Sequence, residues 1–205
     1  MKPILFNTSM VRAILDGRKT VTRRVVKARN TEIIDKPKWA KDPYWFGVIK
    51  TIKGRKVATA DKILPPYNTG DILYVRETWC SAYDGEAYFY FADKCTQREQ
   101  AKLLDYDDVR WRPSIHMPKE AARIFLRVTN VRVEWLQDIT AAEIQAEGLT
   151  SMCAMVGDME IALQEWRNLW DSTIKEADKT LYGWDANPWV WVIEFERITP
   201  KGVLL

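Results

Sequence analysis

The clearest pattern in the chain lies near its end, where Trp189, Trp191, Ile193 and Phe195 face one way and Val190, Val192, Glu194 and Glu196 face the other. An alternation of period two is that of an extended chain with a buried face, so a strand is predicted there. Ile124, Leu126 and Val128 alternate with Arg123, Phe125, Arg127 and Thr129, and the pattern can continue through Val131 and Val133. That is a second half-buried strand. Behind the turn Asn68-Thr69-Gly70-Asp71, the run Ile72-Leu73-Tyr74-Val75 reads as a buried strand that emerges into Arg76-Glu77-Thr78-Trp79. Ile4-Leu5-Phe6 and the aromatic run Ala87 to Phe91 are two shorter candidates. Val48 to Ala60 folds back around Lys53-Gly54 as a hairpin, with the breaker Pro65-Pro66 behind it.

Helical spacing is rarer. Thr8 or Ser9 can cap a helix whose residues Met10, Val11, Ile14 and Leu15 share a face, and Gly17 is a natural stop. Thr140-Ala141-Ala142-Glu143 is a capping box opening a short helix that runs to Glu147 and is stopped by Gly148. Met159, Leu163, Trp166 and Trp170 form the apolar stripe of a longer helix, read as core. The polar stretch Cys95 to Asp108 reads as partly helical, ahead of a loop from Arg110 to Pro118. Strands outnumber helices, with no βαβ alternation and no internal repeat. The fold class expected is α+β: a small, mostly antiparallel β-barrel with flanking helices, built as one domain of 205 residues.

Composition fits an ordinary globular chain, 47% hydrophobic and 29% charged. No run reaches the roughly 20 apolar residues that span a bilayer, and the first residues have too short an apolar stretch for a signal peptide, so a cytoplasmic location without membrane contact is expected. Cys80, Cys95 and Cys153 are at neither metal-ligand nor redox spacing and read as free thiols. His116 is the sole histidine, which excludes a multi-histidine metal centre and leaves an ordinary loop residue as its plainest role. No cofactor or metal is expected.

Charge changes the picture once the chain is divided. Residues 1–62 hold 16 Lys+Arg against 5 Asp+Glu, net +11, and residues 63–205 hold 15 against 23, net −8. Arg18, Lys19, Arg23, Arg24, Lys27 and Arg29 fall between Asp16 and Glu32 without an intervening acid. Such a cluster attracts a polyanion such as RNA or a nucleotide phosphate, or else is a solvated loop neutralised in the fold by the acidic remainder. Of ten tryptophans most must pack inside, while Trp111 and Trp184 lie in turn-rich loops as base-stacking platforms or as lids over the barrel mouth.

Four segments together resemble an ASCH domain of the PUA-like superfamily, which is suspected of RNA binding: Gly17-Arg18-Lys19-Thr20-Val21-Thr22-Arg23-Arg24 after a helix, Gly70 to Glu77, Leu136-Gln137-Asp138-Ile139-Thr140 leading into a helix, and the closing strand Val190 to Glu196. The resemblance spans nearly the whole chain. It is nearest to the long ASCH proteins of phages and prophages, through Trp111 to Pro118 and Tyr182 to Trp191. It implies a PUA-like barrel carrying insertions at about 30–66 and 80–118. A compact bacterial relative hydrolyses the acetyl amide of acetylcytidine with a lysine, a threonine and a glutamate, which motif matching carries onto Lys19, Thr22 and Glu147.

The chemistry of that trio is coherent. A threonine hydroxyl needs a base to become a nucleophile, and an ammonium becomes one only when its pKa falls toward neutrality. Arg18, Arg23 and Arg24 and burial push Lys19 that way, while pairing with Glu147 opposes it. Three functions are therefore expected. One is an amidohydrolase for an acylated pyrimidine nucleoside, with Thr22 as nucleophile, Lys19 as base, Glu147 as proton carrier, and Arg18, Arg23, Arg24, Arg76 and Glu77 about the substrate. Another is a single-stranded RNA-binding module or metal-independent ribonuclease using the same surface with Trp111 and Trp184. The last is a phage-borne protein-interaction module with a vestigial pocket. RNA or a modified nucleoside is the expected partner, and a monomer the default state.

Overall fold

The computed structural model of the chain describes residues 1–27, 31–35, 41–52, 54–82, 87–93, 110–149 and 159–199. The Cys95 to Asp108 stretch, Cys153, Arg29 and the tail from Lys201 lie outside those residues. The strands are β1 (Lys2–Leu5), β2 (Val21–Val25), β3 (Thr31–Asp35), β4 (Trp45–Ile52), β5 (Arg55–Lys62), β6 (Ile72–Arg76), β7 (Trp79–Ala82), β8 (Ala87–Tyr90), β9 (Phe125–Trp135) and β10 (Trp189–Ile198). The helices are α1 (Thr8–Leu15), α2 (Ala141–Ala146), α3 (Met159–Thr173) and the single turn α4 (Lys179–Tyr182). None is long and apolar enough to cross a membrane.

The architecture is α+β and mostly antiparallel. Five strands lie in the order β1-β6-β9-β10-β2, with only β1 and β6 parallel. A second sheet, β3-β4-β5, contains the hairpin expected around Gly54, and β7 pairs with β8. The two edges of the large sheet approach one another through a side chain, Arg24 Nη2 on β2 donating to Leu5 O on β1 at 2.9 Å. Among the described residues no backbone ladder joins those edges.

Alternation along β10 sorts the core into two halves. Trp191, Ile193 and Phe195 meet Phe6, Val11 and Ile14 at the start of the chain, Leu73 and Val75 of β6, and Phe46 and Val48 of β4. Val190 and Val192, on the other face, meet Val21, Leu136, Ile144, Trp166 and Trp170. The apolar stripe of α3 is therefore core, as expected. Local signals decide the helix ends: the Asn7 side chain, rather than Thr8 or Ser9, accepts from Met10 N to cap α1, and Gly17 follows that helix with φ +74°. Thr140 and Glu143 complete the capping box of α2.

Candidate functional site

The basic segment is held by the end of α1. Arg18 N and Lys19 N both donate to Ala13 O, at 2.9 and 3.0 Å, which seats Lys19 immediately beyond the helix. Lys19 then makes an isolated antiparallel bridge to Glu147, the C-cap of α2, and Thr20 N donates to Ala146 O at 2.8 Å. The close approach requires Gly148. Its φ is +93°, and a Cβ there would stand 2.7 Å from Ala13 Cβ and 3.1 Å from Lys19 Cβ.

This stitching brings Lys19 Nζ to 2.6 Å from Glu147 Oε2 and 2.9 Å from Glu147 O, with the two side chains 0% and 2% exposed. Burial lowers the Lys19 ammonium from its ordinary 10.5; the Glu147 charge and hydrogen bond oppose that, and Arg24 and Arg23 add to it. The other carboxylate oxygen, Oε1, lies 3.3 Å from Arg23 Nη1. Arg23 Nη2 in turn meets Glu134 at 2.6 Å and Glu143 at 3.2 Å. Arg132 ties Glu134, Glu143 and Glu194 into the same network. Sequence reading missed Arg132, Glu134 and Glu194, and knew Glu143 only as a capping residue. The spacing Arg132-x-Glu134 along an alternating strand was the available signal.

The segment expected as a loop becomes an edge strand from Val21 onward, and this divides its side chains. Arg23 lies on the face of Val21, its guanidinium carbon 5.9 Å from the Trp166 ring centroid. Thr22 and Arg24 lie on the opposite face, cross-strand from Ile193 and Trp191. Arg24 and Lys19 share one aromatic surface, 5.5 and 5.6 Å from the Phe6 centroid. Thr22, 3% exposed, is therefore on the Lys19 and Arg24 side of the sheet. Burial lowers Arg24 from its ordinary value, with Tyr67 and Glu147 opposing.

The remaining expected site residues do not join this centre. Arg18 braces the turn, donating to Gly148 O at 2.7 Å and to Asp16 at 2.9 Å. Arg76 is paired with Leu5 on the face of β6 opposite Leu73 and Val75, lies 5.8 Å from the Tyr74 ring centroid, and donates to Ile115 O. Alternation turns it away from Arg24. Glu77 is 1% exposed and held by both arms of the Arg123 guanidinium at 2.9 and 3.0 Å, a structural clamp. Trp111 packs edge-on to Phe91, beside the bridge between Trp79 and Arg112. Trp184 rests against the α3 core, its backbone bonded to Asp171 and Gln137, so the two indoles belong to separate neighbourhoods. His116 is exposed.

Two clefts lie along β2, and neither is lined by Lys19, Thr22 or Glu147. One of about 230 Å³ is lined by Thr20, Val21, Thr129, Arg132, Glu143, Ala146, Glu194 and Phe195. The other, about 340 Å³, is lined by Arg24, Val25, Lys27, Leu64, Pro66, Tyr67 and Trp191. Among the described residues no group of three or more His, Cys, Asp or Glu is arranged to hold a metal ion. No protein-family model, curated protein or solved structure matches this chain.

Proposed function

We propose that this chain is an ASCH-type, PUA-like domain that hydrolyses the amide of an acylated cytidine-type nucleoside. The observation that carries the reading is the enclosed Lys19–Glu147 pair at 2.6 Å, on the side of β2 that also bears Thr22. Outside a desolvated site an ammonium cannot serve as a base near neutral pH; here burial and two neighbouring guanidiniums favour the free amine. Lys19 takes the Thr22 hydroxyl proton, and the alkoxide adds to the acyl carbon. The carbon–nitrogen bond then breaks, the nucleobase amine leaving with the proton that Lys19 gained and Glu147 relays. Water hydrolyses the acyl ester on Thr22 by the same proton path, releasing the acid and restoring the hydroxyl.

Lys19, Thr22 and Glu147 are each at most 3% exposed, so entry of a substrate requires the wall beside them to give way. The cleft at the end of β2, lined by Arg24 and Trp191 from the Thr22 face and by Val25 and Lys27 from the other, is the route of approach in this reading. The same enclosure favours a second reading, in which the pair only braces α2 against β2 and the domain binds single-stranded RNA. Acetate release from N4-acetylcytidine separates the two. The hydrolase requires turnover that falls by about a hundredfold or more in Lys19→Ala and Thr22→Ala, the usual worth of a general base or its nucleophile. Absence of turnover, or full turnover by Lys19→Ala, ends the hydrolase reading.

A further inference from the structure

The acids of the fold neutralise the basic segment selectively. Arg18 has Asp16, Lys19 has Glu147, and Arg23 has Glu134, Glu143 and Glu147. Arg24 and Lys27 are different: among the described residues neither has a carboxylate within the 4.0 Å of an ion pair. Arg24 donates to the Leu5 carbonyl and stands over Phe6, which leaves most of its five donors unused. Lys27 Nζ lies 4.8 Å from the Tyr182 ring centroid, a contact that leaves the charge in place. Both cations line the 340 Å³ cleft.

The other walls of that cleft are apolar and aromatic. Leu64, Pro66 and Tyr67 come from the connection between β5 and β6, and Trp191 lies cross-strand from Arg24. Leu64 is 65% exposed, and Tyr67 is fixed by its hydroxyl donating to Pro3 O at 2.7 Å. The volume is at the small end of ligand pockets, about 300–1,000 Å³, and suits one compact ligand rather than a length of polymer. A partly enclosed guanidinium with no carboxylate in contact among the described residues is costly, and an oxyanion that accepts its fork in a bidentate manner removes that cost.

The geometry points to a nucleotide phosphate site in this cleft: Arg24 and Lys27 hold the phosphate, and Leu64, Pro66, Tyr67 and Trp191 wall the sugar and base. The substrate class is then a phosphorylated nucleoside, free or at the end of an RNA, rather than the nucleoside alone. The identity of the base rests on the hydrolase reading above; the phosphate rests on Arg24 and Lys27. Thr22 is two residues from Arg24 on the same strand face, about 7 Å away, so an acyl group on a base held in the cleft reaches it only past the wall that encloses it.

Calorimetric titration of the full chain at low salt tests this, with cytidine, cytidine 5′-monophosphate, inorganic phosphate and a six-nucleotide single-stranded RNA as probes. The monophosphate should bind about tenfold or more tighter than cytidine, the scale of one charge-assisted contact. Lys27→Gln, at an exposed position that spares the fold, should remove much of that preference, and Arg24→Gln should abolish it. A tighter RNA whose affinity falls more steeply with salt supports a polymer end as the source of the phosphate; equal affinity for monophosphate and RNA supports a free nucleotide. Equal affinity for cytidine and its monophosphate overturns the inference, as does a preference that survives both Lys27→Gln and Lys27→Glu. Inorganic phosphate binding as tightly as the monophosphate overturns the nucleotide assignment. Binding needs no turnover, so a phosphate preference without acetate release leaves this site standing and sinks the hydrolase, and the converse result does the opposite.

Discussion

Replacing Glu147 by glutamine removes the one carboxylate that, among the described residues, pairs with Lys19, while keeping the shape of the side chain. At the observed 2.6 Å, the lost attraction is about 6 kcal/mol for an effective dielectric near 20. The protein need not bear all of that, because the lysine can release its proton. Holding a lysine neutral at pH 7.5 against its ordinary 10.5 costs about 4 kcal/mol, at 1.36 kcal/mol per pH unit. That figure is a ceiling on the Lys19 share, and it falls to about 1.4 kcal/mol at pH 9.5. The sign follows from proton binding. With its folded pKa lowered, Lys19 binds fewer protons folded than unfolded, so its penalty is full below the folded value and vanishes as pH rises to 10.5. Removing Glu147 takes away the two influences that raise that pKa and widens the window downward. Equilibrium urea unfolding of both chains should therefore give a deficit that is largest at acid pH, stays below about 4 kcal/mol at pH 7.5 because the lowered parent lysine already bears part of the penalty, and shrinks further toward pH 9.5. Lys19→Met on top of Glu147→Gln should restore most of the loss and remove its pH dependence. A deficit that grows as pH rises, or one that is the same from pH 5 to pH 9.5, would mean that water reaches the pair and the desolvation argument is wrong.

Three further outcomes follow from the geometry. Gly148→Ala combines a φ of +93° with a contact of 2.7 Å to Ala13 Cβ, so it should cost about 2 kcal/mol or more in chemical unfolding and lower any acetate release by displacing Lys19. Arg123→Lys exchanges a two-armed clamp on buried Glu77, stacked 3.8 Å from the Tyr90 centroid, for a single point charge. A loss of about 2 kcal/mol in urea unfolding is expected, and an unchanged midpoint would refute the clamp. Arg76→Ala, on the face of β6 opposite Leu73 and Val75, should leave the affinity for cytidine 5′-monophosphate within about twofold, since one direct phosphate contact is worth more than that; a larger drop would place Arg76 in the cleft after all.

Most elements of the fold were legible because their signals are local. The alternation from Trp189 to Phe195 became β10, the turn at Gly54 became a hairpin, and Thr140 with Glu143 closed a capping box. β2 was hidden: Val21-Thr22-Arg23-Arg24-Val25 has too many polar residues to read as a strand, because its buried guanidinium and hydroxyl are satisfied or sheltered by elements far away in sequence. Had it been recognised, alternation would have parted Arg23 from Arg24 at once.

What the sequence determined by itself is the list of elements, their caps, and a concentration of positive charge after the first helix. Which of those charges are spent and which stay available was decided only by the tertiary structure. Lys19 meets Glu147 across 128 positions and Arg23 meets Glu134 across 111, and no local spacing encodes such pairs. Coulomb energy depends on separation in space and on burial, both of which are fixed by how the strands assemble. The same assembly leaves Arg24 and Lys27 facing a cleft without an acid among the described residues.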